Sequence, residues 1–165
     1  LFPYTTLFDL VYIHIFDLNI VSMIYFDKIL SIKMNLPEII NIALFSIPAM
    51  TGIANIMLSN NICDVQKDIL SKRYTLPHYI GIQNALKLFS ALYYIGYIDI
   101  VILVVLRLIP FVSILILFTI FPVSKNIIAF NKDPVKSKTF ILAVKNFVMI
   151  NLPQIIFIEI IILLR

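Results

Sequence analysis

Asn60, Asp64 and Asp68 stand four residues apart in the stretch Asn60-Asn61-Ile62-Cys63-Asp64-Val65-Gln66-Lys67-Asp68, and Lys72-Arg73-Tyr74-Thr75-Leu76 follow shortly after. Four-residue spacing stacks side chains on one face of a helix, so these three share a face if the helix runs through them, and Lys72 joins it if the helix persists. Two carboxylates and an amide oxygen are hard oxygen ligands of the kind Mg²⁺ prefers. That ion keeps near-octahedral geometry, takes one or two carboxylates and fills its other positions with water and substrate phosphate oxygens. Lys72 and Arg73 suit such chemistry, because metal and basic side chains together neutralise a departing diphosphate. Acids at i and i+4 are also common on solvated helices that bind nothing. Two details weigh for chemistry: the acids close an apolar run, and like charges four apart repel mildly unless they share a cation.

The elements that must position these residues are apolar. The 165 residues are 61% hydrophobic and 13% charged, with a mean hydropathy of +1.02. Soluble domains carry about 45–50% apolar and about 25% charged residues, so the composition excludes a soluble fold and points to lipid. The formal charge of +4 comes from 13 Lys and Arg spread along the chain, without the basic stripe or aromatic motif of a nucleic-acid module, so no nucleic-acid partner is expected. One cysteine, Cys63, permits no internal disulfide.

A membrane-spanning helix needs about 20 apolar residues. Five stretches approach that: about Phe8–Phe26, ending in the polar turn 27–35; Ile39–Cys63, with Pro48 as a kink; about Asn84–Leu106; about Phe111–Ile128, entered through Pro110; and about Phe140–Leu164. The fold class expected is therefore all-α, a polytopic transmembrane bundle of about five spans in a single domain, residues 1–165. Short loops alternate sides. One side receives Lys67, Lys72, Arg73, Lys87, Lys125, Lys132, Lys136, Lys138 and Lys145, the other only Lys28, Lys33, Arg107 and Arg165. The richer side, which holds the acidic stretch, is expected in the cytoplasm. A transmembrane β-barrel is excluded by runs such as Ile100–Leu106, apolar on every face.

Ionisable groups inside the spans, His14, Asp17, Asp99 and Glu159, are costly in lipid and each raises a functional question. The plainer reading is favoured for all four: Glu159 snorkels near a helix end, and His14 and Asp17 satisfy one another or a further helix. The basic run Lys132–Lys138 most simply marks a loop near anionic lipid.

Asn60-Asn61-x-x-Asp64-x-x-x-Asp68 followed by Lys72-Arg73-x-Thr75-Leu76 resembles the second aspartate-rich motif of the UbiA superfamily of intramembrane prenyltransferases, and most closely the 1,4-dihydroxy-2-naphthoate polyprenyltransferase branch of menaquinone synthesis. Cys63 stands where that branch usually has an arginine. The family has nine transmembrane helices, and two spans before this motif with three after it fit helices five to nine. The resemblance thus covers nearly the whole chain and about the C-terminal half of the family. It implies a Mg²⁺-dependent enzyme of the bacterial cell membrane that ionises a polyprenyl diphosphate and attaches the prenyl group to an aromatic acceptor. Asp64 and Asp68 would be catalytic, Asn60, Asp64 and Asp68 would hold Mg²⁺, and Lys72, Arg73 and Asn61 would contact diphosphate. The lipid bilayer and the N-terminal half of the same chain, carrying the first motif, would be the partners, and this part alone would be inactive. Tyr93, Tyr94 and Tyr97 are candidates by type to rim an allylic cation, or ordinary packing residues. His78 could serve the acceptor hydroxyl, or simply be solvated.

Two other classes compete. A cytidine-diphosphate-alcohol transferase would carry Asp-Gly and Ala-Arg pairs near its aspartates, and neither pair occurs. A non-catalytic membrane component or transporter fragment would place ionisable groups at mid-membrane on Gly-interrupted helices, for which only Gly52, Gly81 and Gly96 are available.

Overall fold

In the computed structural model of the chain, residues 21–26 and 29–164 are described, with side-chain surroundings from Met34 to Glu159. The chain divides into two compact units, one up to Leu44 and one from Phe45 onward.

The first unit corrects one expectation. Most of the expected first span, with Asp9, His14 and Asp17, lies outside the described residues. Its last six residues do not continue a helix: β1 (Val21–Phe26) pairs antiparallel with β2 (Ile29–Met34), from Val21 opposite Met34 to Phe26 opposite Ile29. Short apolar runs rich in Val, Ile, Tyr and Phe suit strand as well as helix, and periodicity does not separate the two. The segment read as a polar turn supplies the partner strand.

Otherwise the fold is an all-α bundle. Four segments are long and apolar enough to cross a membrane: Leu36–Leu70, Ile82–Val105, Phe111–Lys132 and Phe140–Glu159. The first, α1 (Leu36–Leu70), carries Glu38 in its opening turn, where the helix dipole favours an anion. Between Glu38 and Asp64 no charged residue occurs. Those 26 steps rise about 39 Å at 1.5 Å each, against a hydrocarbon core about 30 Å thick. An uncharged run of that length is enough to cross such a core. Pro48 sits inside α1, and the Thr51 hydroxyl turns back to the carbonyls of Ile47 and Pro48, at 2.9 and 3.1 Å.

A short helix, α2 (Leu76–Ile80), leads through Gly81, held at φ 81°, into α3 (Ile82–Val105). Such a φ is cheap only for glycine. After Pro110 the chain forms a nine-residue 3₁₀ segment, Phe111–Thr119, which passes into α4 (Ile120–Lys132), and α5 (Phe140–Leu164) closes the chain.

In lipid, helices associate by close packing and interhelical polar contacts rather than by hydrophobic exclusion. Both occur. A Cβ on Gly52 of α1 would lie 2.6 Å from the Phe147 ring of α5, so that ring packs against α1 where Gly52 leaves room for it. Phe89 of α3 stacks on Phe130 of α4 with ring centres 4.5 Å apart. The Tyr97 hydroxyl bonds Thr119 at 2.7 Å, Asn131 donates to Ser90 at 3.0 Å, and Asn126 donates to Asn146 at 2.7 Å. Large apolar side chains such as Val105, Phe111, Phe118 and Phe121 point outward, as a lipid-facing surface requires.

Candidate functional site

The acidic stretch is helical throughout. Asn60, Asn61, Asp64 and Asp68 all lie on the last turns of α1, which ends at Leu70. Asn60, Asp64 and Asp68 stack on one face as their spacing requires, and Asn61, seven residues from Asp68, sits beside them. Asp64 is the buried member; Asn60, Asn61 and Asp68 are half-buried.

Lys72 departs from expectation. The helix stops before reaching it, so it does not extend the acidic face. Lys72 adopts φ 55° and accomplishes the stop: its N–H bonds the Ile69 carbonyl at 3.0 Å, and the Arg73 N–H bonds the Asp68 carbonyl at 2.8 Å. This is the double-bonded helix terminus that ordinarily has glycine in the left-handed position. The same terminus recurs at the end of α3, where Arg107 has φ 58° and Leu108 N–H reaches the Leu103 carbonyl at 2.9 Å. Lys72 and Arg73 are exposed, and among the described residues their side chains and that of Asp68 make no hydrogen bond or ion pair.

Asp64 has a partner that the reading of the motif did not name. Lys136, 72 residues away, donates from Nζ to Asp64 Oδ2. It comes from the connection between α4 and α5, and that connection is tied to itself. Val135 N–H donates to the Thr139 hydroxyl at 2.8 Å, that hydroxyl donates to the Asp133 carbonyl at 2.7 Å, and Thr139 N–H reaches the Val135 carbonyl at 2.8 Å. The lysine is thus presented by an ordered turn. The signal was present in the alternation of loops, which sends the Lys132–Lys138 run to the same end as Asp64; the run's plain reading as a lipid-facing loop hid it.

Among the described residues, no three His, Cys, Asp or Glu side chains come together as a metal-binding group. What the helix end offers is two carboxylates with Asn60 and Asn61 beside them. Asp64, buried and already neutralised by an ammonium group, is a place where positive charge is held, and its donors are the hard oxygens that suit Mg²⁺. The donor set therefore fits that ion.

The other candidates separate cleanly. Tyr93 is buried with its hydroxyl 3.4 Å from the Ala143 carbonyl, Tyr97 is buried on Thr119, and Tyr94 is exposed. The two buried tyrosines act as packing groups with a polar handle. His78 is exposed between the Tyr74 and Tyr79 rings, 4.9 and 5.3 Å away. Cys63 is half-buried and unpaired, and Glu159 is exposed. Asp99 is 3% exposed within α3 and neither carboxylate oxygen has a partner among the described residues. Asn55 and Asn146, which hydropathy does not single out, are fully buried on α1 and α5; both amide atoms of Asn55 and the nitrogen of Asn146 lack partners there. A cavity of about 510 Å³ lies beside Arg107, between the end of α3 and the 3₁₀ segment. None of its lining residues belongs to the acidic stretch.

No family model matches the chain, and neither a characterised protein nor a solved structure matches it.

Proposed function

We propose that this chain is part of a membrane prenyltransferase of the UbiA type, which transfers a polyprenyl group from its diphosphate to an aromatic acceptor, 1,4-dihydroxy-2-naphthoate of menaquinone biosynthesis. The observation that supports it most is a buried carboxylate, Asp64, sharing a helix face with Asn60 and Asp68 at the end of an apolar span and already holding a cationic group. In this reading Asn60, Asp64 and Asp68 hold Mg²⁺, and Lys72, Arg73 and Asn61 meet the diphosphate. Bound there, the metal would offset the charge of the leaving diphosphate. Lys72 and Arg73 stand free at the adjoining helix terminus, available to an incoming phosphate. The apolar faces of α1, α3 and α5 give an isoprenoid tail a dry path, where an allylic cation escapes water. The acidic end faces the cytoplasm of a bacterial cell, and the first aspartate-rich motif comes from a preceding half of the same chain.

The test is prenyl transfer by the full-length protein in membranes supplied with Mg²⁺, a polyprenyl diphosphate and 1,4-dihydroxy-2-naphthoate. Asp64→Ala should abolish product while membrane insertion persists. Mg²⁺-dependent product from that variant refutes the reading. A tag after Arg165 should be cleaved by external protease in intact cells; protection reverses the orientation. One observation favours a non-catalytic transporter component instead, the Asp99 carboxylate inside α3, without a partner among the described residues. Ion uptake that depends on Asp99, without prenyl transfer, would establish it.

A further inference from the structure

Lys136 belongs to no aspartate-rich motif, yet it makes an ion pair with Asp64 at the acidic end. Its side chain is half exposed, whereas that of Asp64 is 12% exposed. An anion so withdrawn from water requires a counter-charge, and here the chain supplies one of its own. The half-exposed lysine, by contrast, needs no partner to stay charged and can change partners without being stranded. Its loop is fixed by the Thr139 hydrogen bonds, so the exchange needs only the flexible side chain to move.

We propose that Lys136 is an anion-positioning residue of the site: with no ligand present its ammonium occupies the Asp64 carboxylate, and when a metal–diphosphate arrives it passes from that carboxylate to a phosphate oxygen. The inference rests on the reading of Asp64 as a ligand-binding carboxylate. It adds that the acidic face is closed to bare cations and opens when cation and phosphate come together. Only hydrogen bonds exchange; the proton stays on the lysine.

The experiment uses the full-length chain in lipid nanodiscs, with Mn²⁺ binding read by electron paramagnetic resonance and inorganic pyrophosphate binding by calorimetry. Lys136→Gln removes the competing charge but keeps a polar side chain. A charge-assisted contact is discounted here for the exposure of Lys136, so the variant should bind Mn²⁺ about fivefold more tightly and Mn²⁺-pyrophosphate about fivefold more weakly than wild type. Lys136→Arg should resemble wild type in both. Unchanged or weaker Mn²⁺ binding in Lys136→Gln, unchanged Mn²⁺-pyrophosphate binding in that variant, or no Mn²⁺-pyrophosphate binding by the wild type each overturns the proposal. If Lys136→Gln fails to fold, Asp64→Asn serves, since it frees the lysine rather than removing it. That variant should bind metal-free pyrophosphate more tightly than wild type, and no gain overturns the proposal. Prenyl transfer is read separately. A protein that shows the opposed shifts but makes no prenylated product keeps Lys136 in this role and loses the transferase.

Discussion

Lys72 ends α1 in a backbone conformation that suits glycine, and this permits its structural and chemical roles to be measured apart. At φ 55° a side chain with a Cβ costs about 1–2 kcal/mol relative to the right-handed region. Glycine removes that cost but gives back about 0.4–1 kcal/mol through its freer unfolded chain. Lys72→Gly and Lys72→Ala both lose the ammonium and its favourable place at the helix C-terminus, so that contribution cancels between them. The glycine variant should therefore be the more stable by about 0.5–1 kcal/mol. For a chain of this size that is about 1–4 °C in the unfolding midpoint. Thermal unfolding in detergent micelles, with helicity followed by circular dichroism, measures the difference. In pyrophosphate binding the two variants should be alike and both weaker than wild type, because the charge is absent from each. A glycine variant that melts no higher than the alanine variant refutes the left-handed terminus. Wild-type pyrophosphate affinity in both would leave Lys72 as a helix stop and nothing more.

Gly52→Ala should destabilise the bundle by about 1–3 kcal/mol, since a Cβ there meets the Phe147 ring at 2.6 Å; an unchanged midpoint would show that α1 and α5 do not meet at Gly52. Asp99→Asn should raise stability by about 1 kcal/mol or more, because it relieves an enclosed carboxylate without partners among the described residues. Loss of stability would reveal a cationic partner. Asn126→Ala should cost about 0.6 kcal/mol, the typical worth of an interhelical hydrogen bond in a membrane bundle; the unfolding midpoint in micelles reads it.

The spans were legible in the sequence because a crossing helix cannot hide its length or its hydropathy. Leu36–Leu70, Ile82–Val105, Phe111–Lys132 and Phe140–Glu159 fall where the apolar stretches lie. The ends were less legible. α1 runs past Cys63 to Leu70; Gln66, Lys67 and Leu70 are good helix formers, and polarity alone does not end a helix. The hairpin Val21–Met34 was missed for the reverse reason: its residues are apolar enough for a span, but pairing of the two halves decides their backbone. The 3₁₀ geometry of Phe111–Thr119 has no sequence signature, since Phe, Val, Ile and Leu there serve either helix.

The acidic face followed from spacing, whereas its counter-ion did not, and the difference is physical. Residues four apart on a helix are neighbours by covalent geometry alone, so Asn60, Asp64 and Asp68 could be grouped before any fold was known. Lys136 reaches Asp64 only through the packing of α1 against α5 and the ordered turn before α5, neither of which leaves a local pattern. Gly52 is where the two facts join. Bare at that position, α1 lies close enough to α5 for the turn preceding α5 to arrive beside the helix end that carries Asp64. Widening the contact at Gly52 should therefore weaken the Asp64–Lys136 pair as well as the fold. The expected result is that Gly52→Ala, where it still folds, shifts Mn²⁺ affinity in the same direction as Lys136→Gln. An unaltered Mn²⁺ affinity in a folded Gly52→Ala protein would show that the turn holds Lys136 in place without help from that helix contact.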